Sequence, residues 1–184
     1  KNATMIRVLT PISNFDCSSL GRNVTLVWQN NDNYSATDVY RDGTLIGTTP
    51  GGAQSYSDID VGFGLHTYHL VSRGDRSETL PTHCMINVLH APYMPSCSSE
   101  PDPVSNVVFA TVNWTNGPDT IYETIRIYRD GQLRATISGT DVAYSEELPE
   151  RSGTYLYSVQ GVDDSGRALS DKLFCEIVDP LAPK

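Results

Sequence analysis

The chain has 184 residues, enough for one large domain or two of about 90. Apolar residues make up 39% and charged residues 19%, which places it with globular proteins rather than disordered ones, and no run of about 18 apolar residues exists to span a membrane. The net charge is −9, with 6 basic and 8 acidic side chains in residues 1–92 against 7 and 14 in residues 93–184. Without a Lys/Arg cluster this surface repels phosphate backbones and anionic lipid. Nucleic acid and membrane insertion are therefore excluded as partners, and the charge serves solubility.

In chain order, Lys1 opens no basic stretch leading into an apolar core, so no signal peptide is expected within these residues. MIRVL (5–9) precedes Cys17-Ser18-Ser19, and MINVL (85–89) precedes Cys97-Ser98-Ser99 at the same offset of 80 (5 to 85, 17 to 97). VTLVW (24–28) alternates apolar and polar residues and ends in Trp28; ATVNW (110–114) does the same and ends in Trp114. VYRDGTLIGTT (39–49) returns as IYRDGQLRATI (127–137). SYSDI (55–59) returns as AYSEEL (143–148), and HTYHLVSRG (66–74) as GTYLYSVQG (153–161). Short alternating runs rich in Val, Thr and Tyr, with turn residues every few positions, predict antiparallel strands. Each Asp-Gly, Asp42-Gly43 and Asp130-Gly131, predicts a two-residue type I′ hairpin, because that turn needs positive φ at both central residues.

The fold class that follows is all-β, two tandem antiparallel sandwiches, with the repeat as its signature. The expected modules are 11–91 and 92–184, joined at HAPYMPS (90–96), whose prolines limit bending. Residues 1–10 read as the last strand of a preceding module, and the whole as an excerpt of a longer array. Four cysteines allow three pairings. Repeat symmetry favours Cys17–Cys84 and Cys97–Cys175, each joining the start of a module to its end. Paired cysteines place the chain in an oxidising compartment, hence extracellular, secreted or at a cell surface. Sequons at Asn2, Asn23, Asn33 and Asn113 are candidate glycosylation positions.

Both modules resemble fibronectin type III domains, particularly the short versions of bacterial extracellular proteins. Trp28 and Trp114 match the family's core tryptophan, and each YRDG is similar to its turn between third and fourth strands. LPERSGTYLYSV (148–159) looks like the family's stretch leading to a corner tyrosine. The resemblance implies that Tyr155 bonds back to the backbone, with Tyr68 as its counterpart. An immunoglobulin domain would carry cysteines where Leu70 and Tyr157 stand. The family implies a non-catalytic extracellular spacer or interaction module without a cofactor. Its partner, protein or glycan, is unspecified, and flanking domains of the same chain are the natural neighbours.

Two alternatives rest on particular residues. Arg73-Gly74-Asp75 lies in the loop where integrin-binding members of the family present this tripeptide, although Arg, Gly and Asp are also ordinary turn residues. Tyr34, Tyr93 and Tyr122 fall in predicted loops, where exposed rings would suit a carbohydrate-binding accessory module of a secreted hydrolase. The acidic pairs Asp58/Asp60, Glu146/Glu147 and Asp163/Asp164 follow no calcium-loop spacing and read as solvated turn carboxylates. His66 and His69, three apart on one strand, point to opposite faces and share no metal. There is no G-x-S-x-G elbow, no Cys/His nucleophile pairing and no phosphate-cradling glycine loop, so no enzyme activity is expected.

Overall fold

In the computed structural model, residues 8–105, 107–149 and 153–180 are described. All regular elements among them are strands. The chain divides into two compact units between Val88 and Leu89, slightly ahead of the boundary expected from the sequence.

The first unit contains β1 (Ser13–Leu20), β2 (Asn23–Gln29), β3 (Ala36–Arg41), β4 (Thr44–Pro50), β5 (Ser55–Asp58), β6 (Gly64–Arg73) and β7 (Thr82–Val88). One layer runs β1-β2-β5 and the other β4-β3-β6-β7, all neighbours antiparallel. Alternation aims one side of each strand inward: along β2, Val24, Leu26 and Trp28 are buried while Thr25 and Val27 face out. Leu26, Val39, Tyr68 and Leu70 close the core.

The second unit contains β8 (Tyr93–Pro101), β9 (Val108–Thr115), β10 (Thr124–Arg129), β11 (Gln132–Ser138), β12 (Ala143–Glu147), β13 (Thr154–Val162), β14 (Ala168–Leu169) and β15 (Leu173–Val178). Its layers run β8-β9-β12 and β11-β10-β13-β15, with β14 touching β13 at Val162↔Leu169. Val112, Ile125, Ile127 and Tyr157 fill its core.

Both Asp-Gly corners have the geometry their residues favour. Asp42 and Gly43 have φ of 51° and 80°, Asp130 and Gly131 of 51° and 81°. The flanking residues pair directly, Arg41↔Thr44 and Arg129↔Gln132. Each hairpin then carries a one-residue bulge: Val39 faces Gly47 while Tyr40 faces Leu45, and Ile127 faces Ala135 while Tyr128 faces Leu133.

Two organisational expectations change. Residues 93–96 belong to strand β8 rather than to a linker. Val8–Thr10 form no strand, and Leu9 is buried in the first unit; residues 1–7 lie outside the described residues. The residues that follow MIRVL and MINVL, Thr10 and His90, are held alike. The Tyr34 hydroxyl donates to the Thr10 carbonyl at 2.6 Å, and the Tyr122 hydroxyl donates to the His90 carbonyl at 2.7 Å. In each unit a buried tyrosine holds the segment that leads into the first strand.

Candidate functional site

Each unit encloses a three-residue polar lock between its layers. In the first, Arg41 Nη1 and the Tyr68 hydroxyl both donate to Asp58 Oδ2, at 2.6 and 2.7 Å. In the second, Arg129 Nη1 and the Tyr157 hydroxyl both donate to Glu146 Oε1, at 2.8 and 2.6 Å, and Arg134 Nε reaches Glu146 Oε2 at 3.1 Å. Burial and then the bonded carboxylate push both tyrosines well above their ordinary value, because the phenolate would be desolvated beside a negative charge. Asp58 and Glu146 are thus structural carboxylates with their own cations.

The lock overturns one expected equivalence. Tyr68 is the counterpart of Tyr157, since it faces Arg41 across the ladder as Tyr157 faces Arg129. Tyr155 does donate back to the backbone, to the Pro149 carbonyl at 3.2 Å. Two residues before Tyr68, the matching place in the first unit holds His66, whose ring nitrogens lie 3.0 Å from the Gly62 carbonyl and 2.7 Å from Asp42 Oδ2. Burial pushes the Asp42 carboxyl up, but hydrogen bonds from His66 and the Thr67 N–H outweigh it and hold the group below the usual range. The tryptophans are anchored alike: Trp28 Nε1 donates to Asn30 Oδ1 at 3.1 Å and Trp114 Nε1 to Asn116 Oδ1 at 3.0 Å. Each asparagine then donates to a glycine carbonyl, Gly51 or Gly139, at 3.0 and 2.9 Å.

Cys17–Cys84 and Cys97–Cys175 are disulfide-bonded, each with Cα atoms 6.2 Å apart. They tie β1 to β7 and β8 to β15, the first and last strands of each unit.

Layers of three and four strands in this order are the fibronectin type III arrangement. Both units have a fibronectin type III-like fold. No protein-family profile matches the chain, and no curated protein matches it in sequence. Among solved structures, it is similar to a two-domain fibronectin type III segment of chicken tenascin, at 16% identity and a TM-score of 0.43 over 91% of this chain and 99% of that one. It is also similar to the fibronectin(III)-like modules of Clostridium thermocellum CbhA, at 16% identity and a TM-score of 0.45 over 91% and 92% of the two chains. Chicken CNTN1 domains FN1–FN3 match at 12% identity and a TM-score of 0.43, over 93% and 65%.

In the first fibronectin type III-like unit, Arg73 ends β6 and turns back onto the sheet. Its Nη2 pairs with Asp38 Oδ1, which Thr48 Oγ1 also reaches at 2.7 Å. Asp38 is buried, so the guanidinium neutralises a charge within the unit. The Arg73 carbonyl accepts from Ser35 N at 2.7 Å and Ser35 Oγ at 2.9 Å, and Gly74 N donates to the Ser77 carbonyl at 2.8 Å. Of the tripeptide, Asp75 alone is exposed.

The loop tyrosines divide: Tyr34 and Tyr122 are buried, against expectation, and Tyr93 is exposed. They are buried because their hydroxyls hold the entry segments. Asn23, Asn33 and Asn113 are exposed, and Asn2 lies outside the described residues. Of the remaining acids, Asp60 pairs with Arg22 at 2.8 Å, and Asp163 accepts from Ala168 N and Ser165 Oγ at 3.0 and 2.7 Å.

One grouping escaped sequence reasoning. On the outward face of β4-β3-β6-β7, Leu45, Tyr40, His69 and His83 form a row across all four strands. Tyr40 stacks on His69 with centroids 4.5 Å apart and planes 7° off parallel, and His69 lies 5.4 Å from His83. Burial, and then His83, hold the His69 imidazole below its ordinary value. Their separation by a whole connection hid the pair, and only the β6–β7 register reveals it. His66 lies on the opposite, inward face of β6, beside Asp42.

Proposed function

We propose that the chain is a non-catalytic spacer within a larger extracellular, secreted or cell-surface protein, built to keep its units intact under tension and proteolysis. The observation that carries this reading is the placement of the disulfides. Each joins the strand by which the chain enters a unit to the strand by which it leaves. A pull on the two ends of a unit runs through the sulfur bridge and bypasses the enclosed residues, at a sequence separation of 67 in the first unit and 78 in the second. The same closure removes entropy from the unfolded chain, worth about 4 kcal/mol per unit. Disulfides also fit an oxidising location.

The adhesive alternative has less support, because Arg73 is committed to Asp38 within its own sheet. The carbohydrate alternative keeps only Tyr93 of its three loop rings. Stretching the chain end to end in a single-molecule pulling experiment tests the spacer reading. With disulfides intact, unfolding of each unit releases none of the enclosed chain. After reduction, the first unit releases about 220–240 Å more, the extended length of its enclosed residues. Equal release in the two states overturns the load path.

A further inference from the structure

We infer that His69 and His83 form a surface site for a divalent late first-row transition-metal ion, of the class of Ni²⁺, Cu²⁺ and Zn²⁺. The two are direct partners across the antiparallel β6–β7 pair, on its outward face. Side chains so placed have Cβ atoms about 4.5–5.5 Å apart, close enough for both to reach one ion. An ion about 2.0–2.1 Å from one nitrogen of each ring sits about 3.2 Å from each centroid, so angles between square-planar and tetrahedral place the centroids about 4.5–5.2 Å apart. The observed centroids lie 5.4 Å apart, about 0.2 Å beyond the upper end of that range, with planes tilted by 46°.

The surroundings suit the role. Tyr40 lies flat against His69 and fixes its ring plane, which lowers the ordering cost of ligation. His83 is exposed, so water can fill the remaining coordination positions. Two imidazoles and water select metals with high nitrogen affinity over Mg²⁺ or Ca²⁺, which want oxygen donors. The fold itself does not require the pair. At the same places the second unit has Ser158 and Phe174, partners across β13 and β15.

The test is titration calorimetry of the tag-free, disulfide-intact chain with the chloride salts of Ni²⁺, Cu²⁺ and Zn²⁺. The expected result is one ion per chain, with affinity lowered by at least about tenfold in His69→Gln and in His83→Gln, the scale on which even outer partners of a metal count. His66→Gln and His90→Gln bind as the unsubstituted chain does. Absence of binding, binding unaltered by substitution at both positions, or binding lost through His66 or His90 instead overturns the site. Paramagnetic broadening by Cu²⁺ of the unsubstituted chain removes any dependence on how the variants fold. Loss of the His69, His83 and Tyr40 ring signals is expected, and broadening centred elsewhere overturns the proposal.

Discussion

Tyr68 donates its hydroxyl to the same Asp58 oxygen that accepts from Arg41, so one carboxylate atom serves two donors from two different strands. Asp58 lies on β5 in one layer, whereas Arg41 and Tyr68 lie on β3 and β6 in the other, and the contact therefore pins the two layers together. Removing the tyrosine hydroxyl leaves the carboxylate its cation; removing the carboxylate strands both donors. Tyr68→Phe is expected to cost about 1–2 kcal/mol. Asp58→Ala is expected to cost about 3 kcal/mol, the low end for a broken buried pair because Arg41 is partly solvated. Urea denaturation measures both, as a lower midpoint at unchanged slope.

The pH dependence of the locks follows from the raised values of Tyr68 and Tyr157. In the unfolded chain both ionise near pH 10, earlier than in the folded one. Stability is therefore fully present below about pH 10 and falls as pH rises beyond it, because the unfolded state sheds protons first. Ultraviolet titration should show these two tyrosines ionising only together with loss of the near-ultraviolet circular dichroism signal. Tyr68→Phe should reduce the steepness of alkaline unfolding.

Asp42 predicts the opposite slope at acid pH. Its folded value is depressed, so its contribution is present above the unfolded carboxylate value near pH 4 and disappears as pH falls through the folded one. Asp42→Asn should unfold with a shallower loss of stability between about pH 5 and pH 2, measured by thermal melts across that range.

Within the Arg73-Gly74-Asp75 turn the two charged residues should behave differently. Arg73→Ala leaves buried Asp38 with Thr48 but no cation, and should cost about 2 kcal/mol. Asp75→Ala removes an exposed side chain and should change stability by less than about 0.5 kcal/mol. Thermal melting of the two variants, side by side, checks the contrast.

Gly51 and Gly139 should tolerate no side chain. A Cβ on Gly51 would run into the Tyr34 carbonyl, and one on Gly139 into the Tyr122 carbonyl. These are backbone atoms, held in place by the tyrosines that anchor the entry segments, and they have little room to yield. Gly51→Ala and Gly139→Ala should each cost about 3 kcal/mol, read out as lower urea midpoints.

The repeat, the strands and the Asp-Gly corners were legible because local chemistry determines them. Asp and Gly accept positive φ, and alternation of period two marks a half-buried strand. The cysteine pairing was legible through symmetry between copies. The correspondence of Tyr68 was not, because Thr67-Tyr68 and Thr154-Tyr155 match in sequence while the true counterpart, Tyr157, lies two residues further on. A shift of two keeps every side chain on its own face, so periodicity cannot detect it. Only the partner strand, with Arg41 or Arg129 at a given rung, resolves it. Asp38–Arg73 and His69–His83 were hidden for the same reason: each pair meets across a ladder, far from its sequence neighbours.

The sulfur bridges also close the chain into two covalent rings in series, Cys17 to Cys84 and Cys97 to Cys175. A single backbone cut inside either ring leaves every atom of the unit attached, its new ends held by the strands around them. Only the stretch between Cys84 and Cys97 offers a peptide bond whose scission parts one unit from the other. Separation of one unit from the other by a single nick is thereby confined to that dozen residues, most of which lie in β7 and β8.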